Sequence, residues 1–308
     1  MARKRKGRPI NGWLLIDKPS GPTSTQVVGR VRHLLDARKV GHGGTLDPLA
    51  TGLLPIALGE ATKTVSYVVD GRKSYRFTLR WGQATRTDDA EGAVVAESAL
   101  RPAAERIRAA LPAFVGTILQ VPPDFSAVKV AGRRAYDRAR AEESFDLAPR
   151  PAEVLAFELV DCPDADHATF AVTCGKGTYV RALARDLGRA LGTCAHVVAL
   201  RRTAVGPFGL DRAISLETLE SLGHSAAASE ALLPIETALD DIPALALSET
   251  EANRLRCGQA VSMLARSHRD TIRGVDNGAI VYATSGGRPV ALARYEAGDI
   301  HPVRILNL

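Results

Sequence analysis

The chain has 308 residues, 45% hydrophobic and 24% charged, which supplies a real core and excludes a disordered segment. Lysine and arginine outnumber aspartate and glutamate by 40 to 34, and a pI near 9.3 suggests a polyanionic partner. No apolar run reaches the length of a membrane span, and Asp17 and Lys18 interrupt the basic opening too early for a signal-peptide core, so a cytoplasmic protein is expected.

Residues 1–11 read as a basic tail. "GWLLID" (12–17) predicts a strand that ends at Lys18-Pro19. Residues 23–37 predict a helix: Val27, Val28, Val31, Leu34 and Leu35 share a face, and Thr23 with Gln26 has capping-box spacing. "GLLPIALG" (52–59) reads as a buried strand between glycines. Residues 73–82 show the clearest alternation, with Tyr75, Phe77, Leu79 and Trp81 on one face and Ser74, Arg76, Thr78 and Arg80 on the other.

A helix is expected over 103–114. Residues 122–152, rich in Pro, Arg and Lys, read as a long excursion from the core, a kind of segment that often carries function. A strand follows at 168–175, then a helix over 178–192 with Val180, Leu183, Leu187 and Leu191 inward, then a strand at 195–203. The pattern resets near 236–245. Strand-like runs at 278–284, 289–295 and 301–306 predict a small β-rich domain over 243–308, which leaves 12–242 as the larger one. Cys162, Cys174, Cys194 and Cys257 form no C-x-x-C pair and no disulfide framework, so neither structural zinc nor cross-links are expected.

The stretch "GHGGTLDPLATGLLPIALG" (41–59) sets one carboxylate, Asp47, before a proline in a glycine-rich turn. The plain reading is a helix-start cap, in which the carboxylate accepts backbone N–H groups. Three features favour a functional one. Tyr75 opens its strand where a ring can face a cleft, "GKGTYVR" puts Tyr179 and Arg181 in the first turn of a helix, and Lys18 ends a strand beside a proline. Each has a plain counterpart: core tyrosines, a solvated arginine, a turn lysine.

The blocks "GWLLIDKPSGPTS", "GHGGTLDPLATGLLPIALGEATK", "YRFTLRWGQATRTDDAEG", "PPDFSAVKVAGRRAYDRAR", "GKGTYVRALARDLG" and "CAHVVALRR" occur in this order. Together they resemble the TruB family of tRNA pseudouridine synthases, strongly from Gly12 to about Thr203 and weakly beyond. The resemblance implies an α/β (α+β) fold, a mixed, largely antiparallel sheet flanked by helices, with a small β-rich PUA-like RNA-binding domain at the C-terminus. It implies isomerisation of the uridine at position 55 in the tRNA T-loop. Asp47 matches the catalytic aspartate, Tyr75 the tyrosine that stacks on the target base, Arg181 the arginine paired with the aspartate, and Lys18 the lysine of the "KP" block. His42 matches the histidine that enters the T-loop near the flipped nucleotide. Tyr179 and Leu200 match residues that line the base pocket. Phe125 stands where the family often has tyrosine.

Conversion of uridine breaks the N1–C1′ bond and joins C5 to C1′. Nothing is oxidised or added, so no cofactor and no metal are expected. What is needed is a carboxylate fixed in a shaped pocket, acting at C1′, at C6 or on the C2′ proton, with a guanidinium beside it that favours its ionised form. The expected partner is tRNA alone, taken by a monomer with no membrane and no protein partner. The basic run "KVAGRRAYDRAR" (129–140) suits phosphate contact within an RNA-gripping insertion over 122–152. Rival readings are a guide-dependent synthase of the dyskerin type and an idle RNA-binding or chaperone protein. An NTPase built on "GHGG" lacks the G-K-[ST] ending.

Overall fold

The computed structural model describes residues 7–130, 132–141, 143–223, 230–265, 268 and 271–308; residues 1–6 of the expected basic tail lie outside them. The central sheet takes its strands from most of the first two-thirds of the chain. They are β1 (Gly12–Lys18), β2 (Val40–His42), β3 (Thr51–Leu58), β4 (Lys73–Trp81), β5 (Gly116–Gln120), β6 (Arg150–Asp161), β7 (His167–Cys174), β8 (Ala195–Val205) and β9 (Ile214–Ser215). The order is β9-β1-β3-β8-β4-β7-β6-β5, with β2 paired to β3. Among these, β1/β9 and β3/β8 are parallel and the rest antiparallel, the mixed, largely antiparallel sheet expected.

Both faces of the sheet centre are covered, which is why β1 and β3 read as apolar runs without alternation. The period of two sends Leu14 and Ile16 to one core and Trp13 and Leu15 to the other. Among the described residues four helices cover the first face: α1 (Ser24–Leu34) with Val27 and Val31, α3 (Ala104–Ala110) with Ile107, α5 (Val180–Ala190) with Leu183 and Leu187, and α6 (Leu216–Leu222) with Leu216 and Leu219. Opposite lies α2 (Val65–Asp70), whose Val68 packs with Trp13, Leu53 and Phe208. Helix α1 has the expected capping box of Thr23 and Gln26 but stops early, and Asp36 turns the chain with φ 47°. The helix expected over 103–114 splits at Pro112, where a 3-10 turn takes over from α3.

The excursion is shorter than expected. Residues 150–152 belong to β6, which pairs with both β5 and β7. The whole of β6 goes beyond the strands expected from the sequence: Arg150 and Pro151 open it, although Ala152 and Val154 already point inward. What remains is a hairpin of Lys129–Val130 with Arg133–Arg134 and then α4 (Ala135–Arg140). Glu143 gathers the guanidinium groups of Arg133 and Arg138.

Past residue 243 the chain builds a second sheet from β10 (Ala244–Ala246), β11 (Val261–Ser262), β12 (Ile280–Ser285), β13 (Arg288–Glu296) and β14 (Asp299–Ile305), in the order β10-β12-β13-β14-β11. Its own core contains Leu245, Leu255, Met263, Val281 and Val290. It is also tied to the larger unit: Leu306 joins the cluster of Trp13 and Val68, Lys63 Nζ donates to the Ile305 carbonyl at 2.7 Å, and the Asn307 amide donates to Glu60 at 2.8 Å. Among the described residues no helix is long and apolar enough to cross a membrane.

Candidate active site

The loop between β2 and β3 is pinned at nearly every residue. The Gly43 amide donates to the Pro55 carbonyl at 2.7 Å. Arg202 donates to the carbonyls of Gly44 (3.0 Å) and Thr45 (3.1 Å). Ser24 Oγ accepts from the Leu46 amide and donates back to its carbonyl, at 2.8 and 3.1 Å. The Pro48 carbonyl accepts from the Gly21 amide at 2.9 Å and from Lys18 Nζ at 3.2 Å. Space allows no alternative at Gly43, where a Cβ would lie 2.8 Å from Val68 Cγ1.

All this holds one side chain free of the loop. Among the described residues no backbone N–H donates to the Asp47 carboxylate, so the helix-cap reading fails. Its partner is Arg181, at 3.0 Å. The arginine is buried and also reaches Asp89 Oδ2 at 3.3 Å and the carbonyls of Thr87 and Phe125, each at 2.9 Å. Phe125 therefore serves through its backbone, which needs no hydroxyl. Asp47 itself is less buried than a dry pocket would require: 40% of its side chain remains exposed, because it stands at the rim.

Behind that rim opens a cavity of about 370 Å³, mostly apolar, with Tyr75, Tyr179, Leu200, Arg202 and Arg181 among its walls. β4 and β8 deliver Tyr75 and Leu200, and α5 delivers Arg181 at its first turn. Gln120 positions Tyr179 by imitating a strand partner, accepting its amide at 2.8 Å and donating to its carbonyl at 3.2 Å. Burial raises the phenol pKa of both Tyr75 and Tyr179. Burial likewise raises that of Glu91, helped by the negative charges of Asp89 and Asp47.

Five of the seven expected residues, Asp47, Tyr75, Tyr179, Arg181 and Leu200, thus line one cavity. Two stand apart from its walls. Lys18 is wholly buried beneath the loop, where Nζ donates to the carbonyls of Pro19 and Pro48. Burial pulls its pKa down to about 8 against the attraction of Asp47. His42, at the end of β2, is half-buried, with Nδ1 unpartnered among the described residues. Burial and the Arg202 charge hold its pKa low, so it is neutral at pH 7. Missing from the expected set are Asp89, Gln120 and Arg202. Asp89 sits in "RTDDAEG" without periodicity to mark it; an arginine pair inside the apolar strand "AHVVALRR" was the one available signal for Arg202.

A sequence profile described as "TruB family pseudouridylate synthase (N terminal domain)" matches residues 32–180. A second, "tRNA pseudouridylate synthase B C-terminal domain", matches residues 181–240. A protein of Gluconacetobacter diazotrophicus named tRNA pseudouridine synthase B is 58% identical, across 99% of this chain and 100% of its own length. One of the same name from Caulobacter vibrioides is 54% identical over 100% of both. Among solved structures, a chain of an archaeal box H/ACA ribonucleoprotein complex superposes with a TM-score of 0.74 at 23% identity, over 100% of this chain and 93% of that one. A chain of an H/ACA particle bound to a substrate RNA containing 2′-deoxyuridine gives 0.73, also at 23% identity, over 100% and 92%. At that identity the two structures speak for the fold.

Proposed function

Because the chain belongs to the TruB family of pseudouridylate synthases, we propose that it isomerises the uridine at position 55 of the tRNA T-loop to pseudouridine. The observation that carries the reading is the Asp47 carboxylate, fixed at the rim of an apolar cavity and bonded by Arg181 at 3.0 Å. Relatives of near-equal length named tRNA pseudouridine synthase B support tRNA as the substrate.

The target base must leave its stack to enter, at a cost of a few kcal/mol. Inside, Tyr75 stacks on the uracil, and Tyr179 and Leu200 close the walls. With the base in the apolar interior, the ribose lies at the rim, and Asp47 acts on the sugar carbons. Arg181 keeps that carboxylate aimed. Lys18 holds the loop through the Pro48 carbonyl. His42, neutral, fills the space the base vacates. N1–C1′ breaks, the detached uracil turns, C5 bonds to C1′, the C5 hydrogen leaves as a proton and N1 takes up a proton, so atoms and electrons balance without a cofactor.

The exposed Lys129, Arg133 and Arg140 of the excursion, and Arg288, Arg294 and Arg304 of the PUA-like unit over 243–308, suit the phosphate backbone. A guide-dependent reading ranks lower, since the resemblance to the H/ACA chains is one of fold.

The test is incubation of the purified chain with unmodified tRNA labelled at uridine C5, without guide RNA, metal or nucleotide. Label should pass to water from one site per molecule. Release only with added guide RNA would favour the dyskerin-like reading, and tight binding without release the idle binder.

A further inference from the structure

We propose that Arg202 is the residue that positions Asp47 and Tyr75 relative to one another, and that this, beyond any bracing of the fold, is why a buried cation sits in β8. The inference rests on the reaction proposed above. Strand register creates the position: Arg202 stands opposite Tyr75 of β4 on one side and opposite Gly52 of β3 on the other. From there one guanidinium serves two segments. Nε donates to the Leu53 carbonyl at 2.8 Å, Nη1 to Thr45 at 3.1 Å and Nη2 to Gly44 at 3.0 Å, while Tyr75 stands opposite on the neighbouring strand and lines the same cavity. Gly44 and Thr45 lead directly into Asp47.

A buried charge is costly unless paired, and an apolar side chain would brace a strand at less expense. Arg202 is 1% exposed, and no carboxylate lies within ion-pair distance of it among the described residues. Its partners are the neutral carbonyls of Leu53 and of the loop that leads into Asp47, and its register neighbour is Tyr75. The planar fork matters: a lysine ammonium is a point charge that cannot span Leu53 and the loop carbonyls together. Tyr75 faces Arg202 across the β4/β8 register, so a shift of the guanidinium moves the neighbour against which the ring rests.

The experiment compares Arg202→Lys, Arg202→Gln and Tyr75→Phe, singly and combined. It follows thermal melting, tRNA affinity and the single-turnover rate of C5-label release. Both Arg202 variants should melt cooperatively, bind tRNA within a few-fold of the parent, and release label about 10²-fold more slowly, the cost of a misplacement near 1 Å. On the Tyr75→Phe background the Arg202→Lys penalty should shrink, since the phenol oxygen opposite the guanidinium is already gone. A rate close to the parent's, a loss confined to affinity, strict additivity with Tyr75→Phe, or failure of both variants to fold would overturn the proposal. The pairing is also read without RNA: the NMR shift of a labelled Tyr75 ring should move in Arg202→Lys, and an unmoved signal counts against it. Label release by the parent chain tests the reaction itself, so the two failures are distinguishable.

Discussion

Arg181 stands between two carboxylates, 3.0 Å from Asp47 and 3.3 Å from Asp89, so one buried guanidinium joins a half-exposed acid at the cavity rim to an acid inside the protein. The two acids are unequal: Asp89 is buried with the arginine, and Asp47 stands exposed at the rim.

Replacing Asp47 by asparagine keeps the side chain's shape and removes its charge. Label release from C5 should vanish while tRNA binding stays within a few-fold. Turnover near the parent's rate would remove Asp47 from the chemistry.

Arg181→Met leaves Asp47 and Asp89 without their shared cation and removes the group that holds the Asp47 side chain at the rim. Label release under single turnover should slow by about 10²-fold, the cost of a misplacement near 1 Å, while tRNA binding stays within a few-fold. A rate near the parent's would show that Asp47 needs no partner to hold it in place.

Lys18 gives a stability signature. Its pKa falls from an unfolded value near 10.5 to about 8, through burial. Below about 8 both states carry the proton and the full penalty of the buried charge is present. Between 8 and 10.5 the unfolded chain binds more protons, so this group's contribution to stability improves as pH rises. The melting temperature of the parent minus that of Lys18→Met should therefore increase across that window. A flat difference would show that the ammonium is solvated in the folded protein.

Gly52 has φ +96°, and a Cβ there would press inside van der Waals contact on the Arg202 carbonyl oxygen. Gly52→Ala should cost about 3 kcal/mol of stability, from left-handed strain and overpacking. It should also slow label release, because Arg202 must shift. Urea unfolding gives the first quantity and single-turnover kinetics the second.

Much of this site is legible in the chain because its residues lie on elements with strong local signals. The alternation in β4 places Tyr75, the apolar stripe of α5 orients Arg181 by fixing its helix, and the glycines around Asp47 mark the loop. Arg202 has no such signal. Its meaning depends on β8 pairing with β3 and β4 at one register, and that pairing is a relation among three distant segments. The same holds for Gln120, which matters only because β5 ends beside Tyr179. His42 shows the converse: it shares the loop with Asp47 but lies outside the cavity walls, since β2 carries it toward Ile56. β6 was obscured from its start, where a proline and an arginine occupy a sheet position near the edge that tolerates both.

Leu306 shares a buried cluster with Trp13 and Val68, although nearly the whole numbering separates it from the first of them. Contacts of such separation carry a high loop-closure cost and reward the chain only when most of it is already ordered. This patch therefore belongs to the last stage of folding, and Leu306→Ala should accelerate unfolding while leaving the folding rate nearly unchanged. Val68 and Trp13 also form the floor under Gly43, whose Cβ position lies 2.8 and 3.4 Å from them. The end of the chain thus rests on the same side chains that support the loop bearing Asp47.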